Sequence, residues 1–194
     1  MIDILMEAER YVEAYFREFL PGTRFFHNFQ RTKAVVEICE EIAAASQLPW
    51  SDSEALFLAA WFHDTGYCHR RANHIEGSVR IAWTFLEDYE LPSEFRLLVS
   101  RVIRSTTLSE PTSELERILK DADDYMVSSQ QYSILSQLLR QELEWCDGIR
   151  FTNDQWTSEF IGLFKRHRFH TTFANSKWTE QKQKNMGSSI RVSC

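Results

Sequence analysis

Long apolar runs are absent from this chain. No stretch of its 194 residues approaches the roughly 20 apolar residues that cross a bilayer, so no membrane span is expected. The N-terminal Met-Ile-Asp-Ile-Leu-Met-Glu lacks the basic flank of a signal peptide, which makes the cytoplasm the expected location. Cysteine is sparse: Cys39, Cys68, Cys146 and Cys194 form no Cys-x-x-Cys pair, against both a disulfide framework and a thiolate zinc site. Cys39 shares a helical stripe with Val35, Val36, Ile42 and Ala43 and reads as a small buried thiol; Cys68 reads as a bystander. Positive charge is in deficit. A formal net charge of -6 argues against a general nucleic-acid surface, so DNA is not an expected partner, but it leaves room for a small phosphate. With 43% hydrophobic and 26% charged residues, the composition is that of an ordinary globular protein, long enough for one domain or one domain plus an extension.

Strand alternation is also missing, and the four prolines fall between helical stretches or in their first turns. Ile4, Ala8, Tyr11, Val12, Tyr15, Phe16 and Phe19 form a stripe that stops before Pro21-Gly22. Residues 28–46 repeat the pattern. Ser51 with Glu54 predicts a capped helix running to Asp64, with Gly66 as its stop. Asn73 with Glu76 opens a fourth helix to about Glu90, and Pro92 pre-sets a fifth through Ile103. Ser113 with Glu116 caps a sixth. Two more are expected near 129–146 and 154–168, and the polar, lysine-rich last twenty or so residues read as a frayed tail. Trp145, Trp156, Phe160 and Phe164 follow helical spacing and read as core.

What the chain does have is His63-Asp64, at the point where the apolar Ala59-Ala-Trp-Phe runs into a glycine turn. Imidazole and carboxylate donors suit a borderline or hard divalent cation, and two neighbouring donors need one or two more. His27 lies upstream at the mouth of one helix and Lys120-Asp-Ala-Asp-Asp124 downstream inside another. Side chains of successive helical residues diverge by about 100°, so His63 and Asp64 meet one ion only at a helix end that bends. Asp123 shares a face with Leu119 and Met126, and Asp121 with Ile118 and Tyr125, so periodicity alone points either carboxylate inward. Taken one at a time, these residues read as a capping histidine, a core histidine and salt-bridged aspartates.

The order His, His-Asp, Asp, carried by Phe26-His-Asn-Phe29, Ala-Ala-Trp-Phe-His-Asp64, Asn73-His-Ile-Glu-Gly-Ser78 and Asp121-Ala-Asp123, resembles the HD superfamily of metal-dependent phosphohydrolases over roughly residues 10–130. The stretch from Asp123 to Gln181-Lys-Gln-Lys-Asn185 resembles a C-terminal extension of a bacterial subset, which in some members leads into membrane helices. The resemblance implies an all-α fold, an HD-domain helical bundle of about six core helices over residues 1–128. A helical extension over 129–185 would pack on it, and 186–194 would form a flexible tail. It implies His27, His63, Asp64 and Asp123 as metal ligands, with Asp121 supporting the site from behind. Arg31 stands where relatives often place a histidine.

Such ligands would leave open positions for water and a phosphoryl oxygen on one divalent ion (Mn, Fe, Co, Ni, Zn or Mg). A second metal would need further ligands, and His74 is the nearby histidine able to offer one. The expected catalytic residues are Asp64, His74 and Glu76, with His74 at a helix start suited to an anion and Glu76 its orienting partner or a capping glutamate, the capping role being favoured. Arg31, Lys33, Arg104 and Thr106 are the candidate substrate-binding residues, while Lys120 reads as a charge partner. His167 and His170 would share a helix face, but no third donor accompanies them, and basic residues at a helix C-terminus suit the helix dipole. The function implied is hydrolysis of a phosphomonoester or phosphodiester of a nucleotide or similar small phosphate. The alternatives are a catalytically weak nucleotide-sensing or regulatory module in bacterial signalling or defence, and a bundle with a purely structural metal. Exposed aromatics on the terminal helices would suit a homodimer.

Overall fold

Six helices follow the stripes in order: α1 (Ile4–Phe19), α2 (Phe29–Ala45), α3 (Trp50–Phe62), α4 (His74–Glu87), α5 (Ser93–Arg104) and α6 (Glu114–Asp123). Three more, α7 (Tyr132–Cys146), α8 (Asn153–Arg166) and α9 (Thr172–Arg191), follow among the described residues. The computed structural model describes residues 4–69 and 71–191, and among them there is no strand: the architecture is all-α. Cys194 lies outside the described residues.

The centre of the bundle is α3. From Ala55 to Phe62 every residue is buried, as expected of a helix apolar on all sides, and it packs against α1, α2, α4, α5 and α6. Cys39 and Cys68 lie in this core as thiols without a disulfide. Capping sets the register of the flanking helices. The Asn28 side chain accepts from Arg31 N (3.0 Å), which starts α2 immediately after His27. Ser113 and Glu116 form the expected capping box of α6. Two other expected caps are absent. The fixed φ of Pro49 starts α3 at Trp50, ahead of Ser51. Asn73 ends a 3-10 turn with ψ 29° instead of the extended backbone of a cap and makes no capping bond, and the Glu76 side chain pairs with Arg104 instead.

The extension has its own apolar core, in which Trp156, Phe160, Phe164 and Phe169 pack with Tyr132 and with Phe26, Met126 and Val127 of the bundle. Trp145 is not part of it: the residue is 71% exposed. As far as Arg191, the frayed tail expected near the C-terminus is instead α9, because its polar residues meet backbone groups; residues 192–194 of that tail lie outside the described residues. Asn185 Nδ2 donates to Val127 O (3.0 Å) and Ser129 O (2.8 Å), and Lys182 Nζ donates to His167 O (2.6 Å). Just before α9, Asp121 accepts from His170 N (2.8 Å), Thr171 N (2.8 Å) and Thr171 Oγ1 (2.7 Å). Asp121 therefore anchors the extension, rather than supporting the aspartate two residues on.

Candidate functional site

The last turn of α3 places the central residues. His63 is its C-cap, and Thr65–Cys68 tighten into a 3-10 turn. Gly66 is required there by close approach: a Cβ would stand 1.8 Å from His74 O and 2.8 Å from Ser78 N, at the start of α4. The contact is locked by Gly66 N donating to Ser78 Oγ (2.9 Å) and Ser78 Oγ donating to His63 O (2.7 Å). The bend this produces brings His63 and Asp64 side by side.

His63, Asp64 and Asp123 each present a donor atom, all within 4.8 Å of one another. His63 Nδ1–H donates to Ala60 O (2.7 Å), turning Nε2 into the cluster, 3.2 Å from Asp64 Oδ2 and 3.5 Å from Asp123 Oδ1. Periodicity left Asp121 and Asp123 equivalent; the fold puts Asp123 here and Asp121 on the opposite side, against the extension.

The guanidinium of Arg31 reaches all three donors. Nη1 donates to Asp64 Oδ2 and lies 3.0 Å from His63 Nε2, and Nη2 donates to Asp123 Oδ1 (2.5 Å) and Asp123 O (3.0 Å). Burial opposes charge on every member, but the mutual attraction wins. Asp64 and Asp123 hold Arg31 above its ordinary range and raise the His63 imidazole to about 10, while His63 and Arg31 hold both carboxyls well below the usual carboxylate range.

Whether a divalent ion fits depends on charge and space. The donor set, two carboxylates and an imidazole, has the right chemistry. The space between the donors holds the guanidinium. Arg31 and the His63 imidazolium already balance Asp64 and Asp123, so a dication would set four positive charges against two negative ones. In this conformation the residues present do not fit a metal; Arg31 would first have to withdraw.

Above the cluster opens a cleft of about 280 Å³ lined by His27, Arg31, Asp64, Tyr67, His74, Thr106 and Asp123, among others. His27 is not among the three converging donors. Its Nδ1 lies 2.6 Å from Glu142 Oε1, and its ring stacks on Tyr67 (3.8 Å), which in turn stacks on His74 (4.2 Å). Glu142, 1% exposed and carried by α7, also accepts from Phe26 N (2.9 Å), His27 N (3.0 Å) and Arg24 Nη1 (3.3 Å). Burial works against that carboxylate, yet His27 and the backbone donors lower it to about 2, so the shared hydrogen sits on His27 Nδ1.

The remaining candidates divide. Thr106 and His74 line the cleft. Lys33 does not: it pairs with Glu9 on the outer face (2.8 Å). Arg104 and Glu76 hold each other in a two-point pair (2.7 and 2.8 Å) at the surface, away from the cleft. Lys120 pairs with Asp124 (3.0 Å), as a charge partner should. Glu142 and Tyr67 were missed. Tyr67 adjoins His63-Asp64 in sequence, but its exposure to the cleft depends on the 3-10 turn. Glu142 sits 115 positions from His27 in an ordinary amphipathic helix, and no local pattern marks it.

A family model described as HD domain matches residues 28–126, a span that begins one residue after His27 and stops short of α7. Neither a curated protein nor a solved structure matches the chain. Members of the matched family are in general metal-dependent hydrolases with a helical fold. The matched span includes His63, Asp64 and Asp123 and covers just over half of the chain, which therefore belongs to the HD domain family.

Proposed function

We propose that this chain uses the HD cleft to bind a small phosphorylated ligand, a nucleotide being the expected kind, and that it acts as a regulatory or sensing module with weak or absent turnover. The observation that supports this reading is the Arg31 guanidinium, which donates to Asp64 and Asp123 together and lies 3.0 Å from His63 Nε2. Held between the two carboxylates, the guanidinium fills the place an ion would take, so the cleft has no metal-bound water to acidify and no open coordination position, while the matched family acts on small phosphates.

A second reading, the metal-dependent phosphohydrolase acting on a phosphomonoester or phosphodiester, is favoured by the convergence of the same three donors within 4.8 Å. It needs Arg31 to swing out and His63 to lose its proton before one divalent ion enters. Among the described residues the group of converging donors is His63, Asp64 and Asp123, and His74, stacked on Tyr67, stands outside it.

Metal analysis of the purified chain after soaking in manganese, paired with a phosphatase and phosphodiesterase screen, separates the two. The first reading expects well under one ion per chain and negligible turnover, with Arg31→His raising metal content toward one. Stoichiometric metal in the unmodified chain, with turnover lost in Asp64→Ala, would establish the hydrolase instead.

A further inference from the structure

Beside the central cleft lies a second lobe of about 330 Å³, and the two share Thr107, Asp124 and Leu163 as walls. Its far side is built by the end of α8 and the segment after it: Arg166, His167, Arg168 and His170. The helix dipole accounts for a basic residue in the last turn of α8, such as Arg166. It does not account for the three residues beyond the helix end.

Arg166 and Arg168 are exposed, and neither makes an ion pair or a side-chain hydrogen bond among the described residues. The His167 side chain is 3% exposed, and neither of its ring nitrogens has a hydrogen-bond partner; Nε2 is 3.8 Å from Asp124 Oδ2. Burial, with Lys182, Lys120 and His170 nearby, pushes this imidazole down to about 3, so it is neutral. A buried polar ring left without partners is uncommon in a folded protein and points to something the chain itself does not supply. Of the acidic groups in the lobe, Asp124 is already held by Lys120, which leaves Glu110 against two arginines.

From this juxtaposition we infer that the second lobe is an anion subsite, which takes a further phosphate of the same ligand whose first phosphate occupies the central cleft. The inference rests on the small-phosphate reading of that cleft and narrows its ligand to a compound with more than one phosphate, such as a nucleoside polyphosphate. Continuity of the two lobes favours one elongated small molecule over a macromolecule. The arginines supply charge-assisted donors suited to phosphate oxygens.

The test is calorimetric titration of adenosine monophosphate and adenosine triphosphate in EDTA, into the full chain and into an Arg166→Ala/Arg168→Ala variant. Both side chains are exposed, so the variant should keep the parent's circular dichroism and melting temperature. The expected result is a preference of the unmodified chain for the triphosphate by about tenfold or more, lost in the variant while monophosphate affinity stays the same. Unchanged triphosphate affinity in the variant would overturn the subsite alone. Binding of neither probe by the unmodified chain would sink the reading of the central cleft, and the subsite with it. Loss of binding only to phosphatidylglycerol vesicles would assign the arginines to a membrane surface and overturn the proposal.

Discussion

In the central cleft, Arg31, His63, Asp64 and Asp123 each face an opposite charge at contact distance; in the adjoining lobe, Arg166 and Arg168 face none among the described residues. The difference follows from burial. Charges taken out of water have to be matched for the chain to fold, because an unpaired buried ion costs several kcal/mol. Arginines left at the surface of an open lobe carry no such requirement, so they remain available to a ligand. The centre is thus charge-balanced before any ligand arrives, while the rim is not.

The comparison breaks most sharply if the central cation is removed. Arg31→Ala leaves Asp64 and Asp123 buried without their shared partner, and should cost about 3–5 kcal/mol in urea unfolding. Millimolar manganese should recover much of that loss in the variant and little in the parent, because an ion can enter only once the guanidinium is gone. A variant as stable as the parent without metal would show that the carboxylates do not depend on Arg31.

Gly66→Ala attacks the same centre through the backbone. Its Cβ would collide with the carbonyl of His74, so α4 and the turn must separate, at a cost of about 3 kcal/mol. The melting temperature should fall accordingly, and a neutral result would mean that the close approach is not maintained in solution.

Glu142→Ala tests whether the extension belongs to the site. Four donors, Arg24 Nη1, Phe26 N, His27 N and His27 Nδ1, lose their acceptor, for about 2–3 kcal/mol by denaturation. The ¹⁵N spectrum of His27 should also change from a single Nδ1–H tautomer to a mixture. Stability loss with an unchanged tautomer would reduce Glu142 to packing.

The smallest effect is expected at the exposed rim of the bundle. Lys33→Ala removes one partner of a solvent-exposed pair with Glu9, and neither ligand binding nor the denaturation midpoint should move measurably. Weakened phosphate binding in that variant would return Lys33 to the site from which its position excludes it.

Several features were readable from residue order because they are set locally. The helical stripes, the Ser113–Glu116 capping box, the burial of Cys39 and the meeting of His63 with Asp64 at a glycine turn all depend on neighbours a few positions apart. The misreadings of Glu76 and of the C-terminal stretch share one cause. Glu76 looked like a cap until Arg104, 28 residues away, drew it off, and the lysine-rich C-terminal stretch looked solvated until Asn185 met carbonyls from the turn after α6.

Amino-acid order by itself determined the first eight helices, the HD family pattern and the pairing of His63 with Asp64. Only the tertiary structure decided that Asp123 rather than Asp121 joins them, that Glu142 of the extension holds His27, and that Arg31 takes the place between the carboxylates. Helical periodicity acts over three or four residues, whereas which charge fills a buried space is settled by whichever distant side chain the fold delivers there first within hydrogen-bonding reach.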